Sequence, residues 1–171
     1  MGLFDWLKPD PSADWPRSRR IDRTLDLAAV RWAGVAFGDP PESLRSLGRP
    51  SNRRPFSEGT FEYFAEGFTV EIDSKGVDAF GLAIGSRPWD EPHTPHPLRV
   101  IWPEGEQTHV DQTTVIGCFA DRLGDPAFEE RDEQEIIQRY DRQTFQLELE
   151  AALDQTVRRI NLWRTCEPDV S

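Results

Sequence analysis

Four carboxylates stand at alternating positions in two apolar–polar stretches of the sequence, and they are the first candidates for chemistry. They are Glu71 and Asp73 in one stretch, and Glu148 and Glu150 in the other. Two neighbouring carboxyl groups can supply the acid and the base or nucleophile of a glycoside-type hydrolysis. Alternating acids on a strand are more often the solvated face of a sheet, and we favour that interpretation.

A second candidate is the pair His93 and His96, which follows Asp90 and Glu91 and has residue types that bind metals. A structural metal site needs ligands that are held in place, usually four of them. These side chains lie in a segment with four prolines in ten residues, residues 88–97, where no regular element orients them. We therefore predict no metal site and no cofactor.

The two cysteines are the remaining candidates for nucleophilic chemistry. Cys118 falls on the apolar side of a predicted helix and Cys166 lies in the tail, while no spacing ties His109 to either as a base. We favour a reduced pair, and a single disulfide between them is the open alternative. The sequence also has no G-x-G-x-x-G, G-x-S-x-G or H-E-x-x-H motif. No catalytic residue is predicted, and a binding protein is favoured over an enzyme.

The elements that position these side chains recur along the chain. Leu47-Gly48-x-Pro50 matches Leu123-Gly124-x-Pro126 at an offset of 76 residues, and Tyr63 matches Tyr140 at an offset of 77. Further matches follow in the same order, which indicates an internal repeat. They are Phe68-x-Val70-x-Ile72 with Phe145-x-Leu147-x-Leu149, Leu82-x-Ile84 with Ile160-x-Leu162, and Val30-x-Trp32 with Val100-x-Trp102.

Each copy is predicted to begin with a short helix and continue as strands. Asp39 caps the first helix, Asp111 or Thr113 caps the second, and Gly48 and Gly124 end them. The strands are predicted from apolar residues at every second position. They cover 60–64, 68–72 and 80–84 in the first copy, and 136–140, 145–149 and 160–163 in the second. The predicted core is Leu47, Phe68, Val70, Ile72, Leu82, Ile84, Phe119, Leu123, Phe145, Leu147, Leu149, Ile160 and Leu162.

The predicted fold class is therefore α+β: two tandem copies of a short helix plus an antiparallel meander of three to four strands, with the helices on one sheet face. The predicted organisation has five parts. They are an extended leader at 1–24, a first module at 25–86, a proline-rich linker at 87–97, a second module at 98–165, and a tail at 166–171.

A short helix that ends in Leu-Gly-x-Pro and is followed by an antiparallel meander resembles the β-lactamase-inhibitor-protein-like family. Such inhibitors are tandem pairs of these modules, and small outer-membrane assembly lipoproteins use a single similar module. The resemblance covers residues 25–86 and 98–165, whereas a secretion signal, a lipidation cysteine and a clear pair of disulfides are missing. It implies an architecture and does not name a target.

The charge of the chain restricts its partners. There are 31 acidic and 20 basic residues, a net charge of −11, and residues 87–171 carry 18 of the acids. Nucleic-acid phosphates are repelled by such a surface, which favours a protein partner with a basic or neutral surface. Without a signal-peptide pattern or a long apolar run, we expect no stable membrane insertion and a cytoplasmic location.

These observations predict a non-catalytic protein-binding module, of adaptor, inhibitor or immunity type, that uses an open acidic sheet face. The alternative is a small-ligand binder or hydrolase-like enzyme that uses the sheet-face carboxylates or the cleft between modules. If the apolar residues of each strand face the helices, the polar ones share the opposite face. The predicted partner-binding residues there are Glu71, Asp73, Glu148, Glu150, Arg159 and Trp163.

Overall fold

The structure, a computed structural model, describes residues 10, 12–17, 21–52, 59–86 and 93–165. These residues form strands β1 (Thr24–Asp26), β2 (Arg31–Trp32), β3 (Val35–Ala36), β4 (Gly59–Tyr63), β5 (Phe68–Asp73), β6 (Gly76–Ala83), β7 (Leu98–Ile101), β8 (Gln107–Val110), β9 (Phe128–Arg131), β10 (Ile136–Asp141), β11 (Phe145–Ala151) and β12 (Val157–Arg164). Their helical segments are a 3₁₀ helix at Pro41–Ser46 and the α-helix α1 at Gly117–Leu123.

The strands form two sheets. The larger is antiparallel and has seven strands in the order β4-β5-β6-β12-β11-β10-β9. The smaller has five strands in the order β3-β2-β1-β7-β8, and β1 and β7 are parallel. Strands β6 and β12 lie next to each other at the centre of the large sheet, although about 80 residues separate paired positions such as Gly81 and Asn161.

One hydrophobic core lies between the sheets and the helical segments. It contains the apolar side of the large sheet, Leu25, Trp32 and Trp102 from the small sheet region, and Phe119 from α1. Every residue of the predicted core is buried, from 0% exposure at Leu147 to 8% at Leu123, which confirms that prediction. Because side chains alternate along a strand, burial of these residues turns the polar ones to the opposite side of the large sheet.

The predicted fold class is wrong, because the protein is mostly β rather than α+β. All six predicted strands are present, as β4, β5, β6, β10, β11 and β12. The prediction missed the five strands of the small sheet and β9, which have only two to four residues each. Runs this short cannot show a period of two, so the prediction gave these residues no regular element.

The prediction of a tandem repeat is also wrong. Both sheets contain strands from both halves of the chain, since β1 pairs with β7 and β6 pairs with β12. The halves therefore complete each other's sheets and share one core, instead of standing as two modules. The proposed boundaries around the linker and tail stay predictions, and residues 87–92 and 166–171 lie outside the described residues.

The predicted helices are shorter than expected, and their starts were wrong. Asp39 accepts a hydrogen bond from the Ala36 N–H, so it closes a turn before the 3₁₀ helix and does not cap it. Asp111 likewise accepts from the backbone and hydroxyl of Thr113, at a turn several residues before α1 begins. The end of α1 was predicted correctly: Gly124 is its C-cap and has a φ of 72°.

The described part of the predicted leader docks on the body. Trp15 is buried in the core at 6% exposure, and the Pro16 carbonyl accepts a 2.7 Å hydrogen bond from the Arg49 N–H. Asp14 and Asp10 of the leader form ion pairs with Arg45 and Arg49 of the body. Among the described residues, no helix combines the length and apolarity that a membrane crossing requires.

Candidate functional site

The polar side of the large sheet carries most of the predicted site. We call it the open face and define it by the polar residues of its central strands: Thr69 and Glu71 on β5, Gln146, Glu148 and Glu150 on β11, and Arg159, Asn161 and Trp163 on β12. Glu71 is exposed, and Glu148, Arg159 and Trp163 are partly exposed. The described helical segments and the small sheet pack against the other side, in the common core.

A hydrogen-bond network centred on Asn161 joins three of the predicted residues. The Asn161 amide donates to Glu150 Oε1 at 2.7 Å and to Glu148 Oε1 at 3.3 Å. Arg159 donates from Nε to Asn161 Oδ1 at 2.9 Å, and from Nη2 to the Thr69 hydroxyl at 3.4 Å. The predicted residues Glu148, Glu150 and Arg159 thus lie together, and Asn161, which was not among the predicted residues, connects them.

Gly81 provides the space for this network. It lies on β6 directly opposite both Thr69 and Asn161. A Cβ atom at this position would lie 2.4 Å from Arg159 Nη2 and 2.6 Å from Thr69 Oγ1. The glycine therefore lets the guanidinium cross the central strand and reach Thr69, a role that the sequence pattern does not indicate.

Glu71 and Trp163 lie outside the network, in the next cross-strand row. Each is paired with Ala79 of β6, which separates them, and Trp163 is also opposite Gln146. Ala79 and Ala83 are the other β6 residues on this side, so β6 contributes only small side chains to the open face. A partly exposed indole next to a strip of small residues is a suitable anchor for a protein partner.

Asp73 is separated from the rest of the predicted site. Its carboxylate accepts hydrogen bonds from Arg164 Nη2 at 3.2 and 3.1 Å, and the same nitrogen donates to Asp78 at 3.0 Å. Arg164 is 22% exposed, so this ion pair is partly shielded from water. Asp73 therefore belongs to a structural contact between β5, β6 and β12.

Sequence reasoning missed the outer part of the open face. No strand was predicted before 136–140 in this half of the chain, but Phe128–Arg131 forms β9, an edge strand of the sheet. Phe128 is 42% exposed, and the Arg139 guanidinium lies 5.3 Å from its ring centre, a cation–π contact. Ile136, Gln138 and Tyr140 are buried at alternating positions of β10, so Arg139 lies on the open face. This alternation was the sequence feature from which the position of Arg139 could have been predicted.

Acidic side chains outnumber basic ones over the complete sheet surface. Strand alternation gives it the acids Glu62, Glu71, Glu130, Asp141, Glu148 and Glu150, and the arginines Arg139 and Arg159. Acidic potentials of this kind attract basic partners and repel acidic ones.

A surface depression of about 370 Å³ lies at one end of the sheet. Its lining includes Ser86, Gln112, Thr113, Asp154 and Arg158, and it is wide open to solvent. The Asp154 carboxylate accepts hydrogen bonds from the hydroxyl and N–H of Thr156, which lower the pKa of Asp154 below its ordinary value. A carboxyl group with a lowered pKa stays ionised at neutral pH and is a poor general acid.

The other candidate chemical groups that the structure describes lie apart from one another or have ordinary structural contacts. Burial and the nearby Asp121 charge raise the pKa of the half-buried Cys118, which disfavours the nucleophilic thiolate. His109 lies beside Asp111, with 4.0 Å between Nε2 and the carboxylate, and His96 Nε2 contacts the Ala65 carbonyl at 2.8 Å. Asp90, Glu91 and Cys166 lie outside the described residues, among which no group of three metal-binding side chains occurs.

Comparison with known proteins adds two similarities, and no family model matches the chain. A protein named EF-hand protein 5, from Trypanosoma brucei brucei, is 31% identical over 87 residues, which cover 46% of this chain and 44% of that protein. The chain thus spans less than half the length of this relative, and no loop of the EF-hand pattern D-x-[DN]-x-[DN]-G occurs in its sequence. A DUF4309 family protein (YjgB) from Bacillus subtilis subsp. subtilis str. 168 is 12% identical at a TM-score of 0.44, covering 72% of this chain and 76% of that one.

Proposed function

We propose that the chain is a non-catalytic protein-binding module, of adaptor, inhibitor or immunity type, that binds a partner on the open face. The observation that carries the proposal is the combination, on one broad side of the large sheet, of an excess of acidic groups with the partly exposed Trp163. Tryptophan is enriched among the residues that contribute most to binding energy at protein interfaces, and charge complementarity increases the rate of encounter. The partner has a basic or neutral surface, and the two proteins interact in the cytoplasm.

The hydrogen bonds of the open face support binding over catalysis. Glu148 and Glu150 both accept from the same Asn161 amide, and Glu150 is only 8% exposed. Carboxylates held in this way maintain the shape of the surface. The exposed Glu71 and the partly exposed Glu148 then provide the field that steers a basic partner.

The alternative, a small-ligand binder or hydrolase-like enzyme, has weaker support. It would have to use the depression beside Asp154, which is open to water, or the shared-amide pair Glu148 and Glu150. A site for glycoside-type hydrolysis needs two carboxyl groups with different proton affinities, usually in an enclosed cleft. The depression is lined by one carboxylate, Asp154.

The test is a comparison of two variants with equal changes in charge. The face variant carries Glu71→Ala, Glu148→Ala and Trp163→Ala, and the control carries Glu42→Ala, Glu104→Ala and Leu153→Ala. A partner is captured with the wild-type chain, identified and purified, and its Kd is measured for all three proteins. We expect the face variant to bind about 30-fold more weakly, the loss of a single hot-spot anchor or more. Equal affinity of a folded face variant and the control would refute the proposal.

A further inference from the structure

Strand β9 forms an edge of the large sheet that other strands can extend. In the described part of the chain, β9 pairs with β10 on one side and with no strand on the other. All four of its residues, Phe128–Arg131, are exposed. An edge strand has a row of free backbone donors and acceptors, and an extended peptide can add to it by main-chain pairing.

The register identifies which backbone groups of β9 point outward. The Asp132 N–H donates to the Glu135 carbonyl, just beyond the paired positions Arg131 and Ile136. Backbone groups alternate in an antiparallel pair, so those of Glu130 point toward β10 and those of Glu129 and Arg131 point to the free edge. An added strand would therefore bond to Glu129 and Arg131.

The charges around this edge select the kind of strand that can pair with it. Glu129, Glu130, Asp132, Glu133 and Glu135 lie on β9 or in the turn after it, with Arg131 as the local cation. Like charges opposite each other destabilise a strand pair, and opposite charges stabilise it. Short, charged edges discourage indiscriminate pairing, and here the same charges admit a basic strand.

A second copy of the chain is a poor occupant for the edge. The outward backbone groups are those of Glu129 and Arg131, so an antiparallel pair of two β9 strands centred on this segment would place Glu129 opposite Arg131 but Glu130 of one copy opposite Glu130 of the other. Two chains that each carry a net charge of −11 also repel each other. Exposed Phe128, held by its contact with Arg139, instead offers an apolar contact beside the acidic positions. A segment that alternates basic and apolar residues fits both features when its basic residues lie on the side of Phe128 and Glu130, because one lysine can pair with Glu130 and the aliphatic stem of another can cover Phe128.

We infer that β9 is a docking edge for a basic extended segment of the protein partner, which adds as an eighth strand to the large sheet. The inference rests on the proposed function, because the partner is the same protein that binds the open face. Phe128 and Glu130 belong to that side of the sheet, so one partner can contact the face and the edge together.

The test uses a capped eight-residue peptide of alternating Lys and Val, with an alternating Glu and Val peptide as its acidic counterpart. Arg131→Pro removes an outward N–H without removing a bond to β10, and Arg131→Ala makes the same change of charge but keeps the N–H. We expect the Lys peptide to bind the Arg131→Ala variant at least as tightly as the wild type. Its affinity for Arg131→Pro should be about tenfold or more lower.

Hydrogen exchange on the wild-type chain gives a second readout that needs no variant. The Lys peptide should slow exchange at the Glu129 and Arg131 amides and leave Glu130, which already bonds to β10, unchanged. Any of four results would overturn the inference. They are equal affinity of the Lys peptide for the Arg131→Pro and Arg131→Ala variants, equal affinity of the wild-type chain for the two peptides, no binding of the Lys peptide, and no change in hydrogen exchange at the Glu129 and Arg131 amides. Dimerisation of the wild-type chain that Arg131→Pro abolishes would also overturn it.

Failure of this inference is distinguishable from failure of the proposed function. If the Lys peptide loses affinity for the face variant but not for Arg131→Pro, it binds the open face; the edge inference fails and the proposed function stands. If the captured partner binds the face variant normally, the proposed function fails, whatever the peptide does.

Discussion

Gly81 and Arg159 fit together on the open face: the missing side chain of one leaves the space that the guanidinium of the other occupies. This relationship connects β6 with β12, the two strands that join the halves of the chain into one sheet. It also holds Arg159 within hydrogen-bond distance of Thr69 and Asn161.

Gly81→Ala is therefore expected to destabilise the protein. A Cβ atom 2.4 Å from Arg159 Nη2 and 2.6 Å from Thr69 Oγ1 forces both side chains to move. Overpacking costs about 1–3 kcal/mol, and replacing a strand glycine by alanine returns about 0.5–1 kcal/mol, so the net loss is about 1 kcal/mol. Urea denaturation measures it. The control is Gly117→Ala, where an added Cβ atom would contact no other part of the described chain within 4 Å and stability should not fall. Equal stability of both variants would contradict this account.

The two tyrosines should respond in opposite directions to removal of their hydroxyl groups. Tyr63 is buried and its hydroxyl has no hydrogen-bond partner among the described residues, so Tyr63→Phe should be neutral or stabilise by about 1 kcal/mol. The Tyr140 hydroxyl donates to Gln138 Oε1 at 2.9 Å, and Tyr140→Phe leaves that acceptor buried and unpaired, at a cost of about 1–3 kcal/mol. Thermal unfolding of both variants checks the prediction, which similar changes in Tm would contradict.

Leu147→Ala should cost about 2–5 kcal/mol of unfolding free energy, because Leu147 is fully buried in the shared core. Leu153→Ala is the matched control, since Leu153 is 42% exposed and its truncation should change stability by less than about 0.5 kcal/mol. Chemical denaturation of the two variants measures the difference. A loss at Leu147 as small as that at Leu153 would mean that the strand register is wrong.

The ion pair between Asp10 and Arg49 should make docking of the leader dependent on pH. Burial alone would raise the pKa of Asp10, but hydrogen bonds from Ser12 and Arg49 and the Arg49 charge lower it below its ordinary value of 3.8. A lowered pKa in the folded state stabilises the fold above the unfolded pKa, and this contribution is lost as the pH falls through the folded pKa. The stability advantage of the wild type over Asp10→Asn, measured by urea denaturation, should thus be present at neutral pH and shrink below about pH 4. A difference in stability between the wild type and Asp10→Asn that is the same at every pH would contradict this prediction.

The long strands and the core could be predicted from the sequence, because runs such as 68–72 and 145–149 are long enough to show a period of two. The small sheet could not be predicted, since strands such as Arg31–Trp32 have only two residues. Such a strand is stabilised by pairing with its neighbouring strands and by burial of Trp32. The shared face of Glu148, Glu150 and Arg159 followed from alternation alone. The roles of Gly81 and Asn161 depend on the pairing of β6 with β12, which local sequence does not encode.

The central claim, that the open face binds the partner protein, is tested most directly by site-specific photo-crosslinking. The photoreactive residue p-benzoylphenylalanine replaces Gln146, which lies opposite Trp163 on the open face, in one protein, and in the other it replaces Arg31, which is exposed on β2 of the small sheet. Each protein is irradiated with the purified partner, and the crosslinked product is quantified on a denaturing gel. We predict a crosslink from position 146 and none from position 31; equal yields, or a crosslink from position 31 alone, would contradict the account.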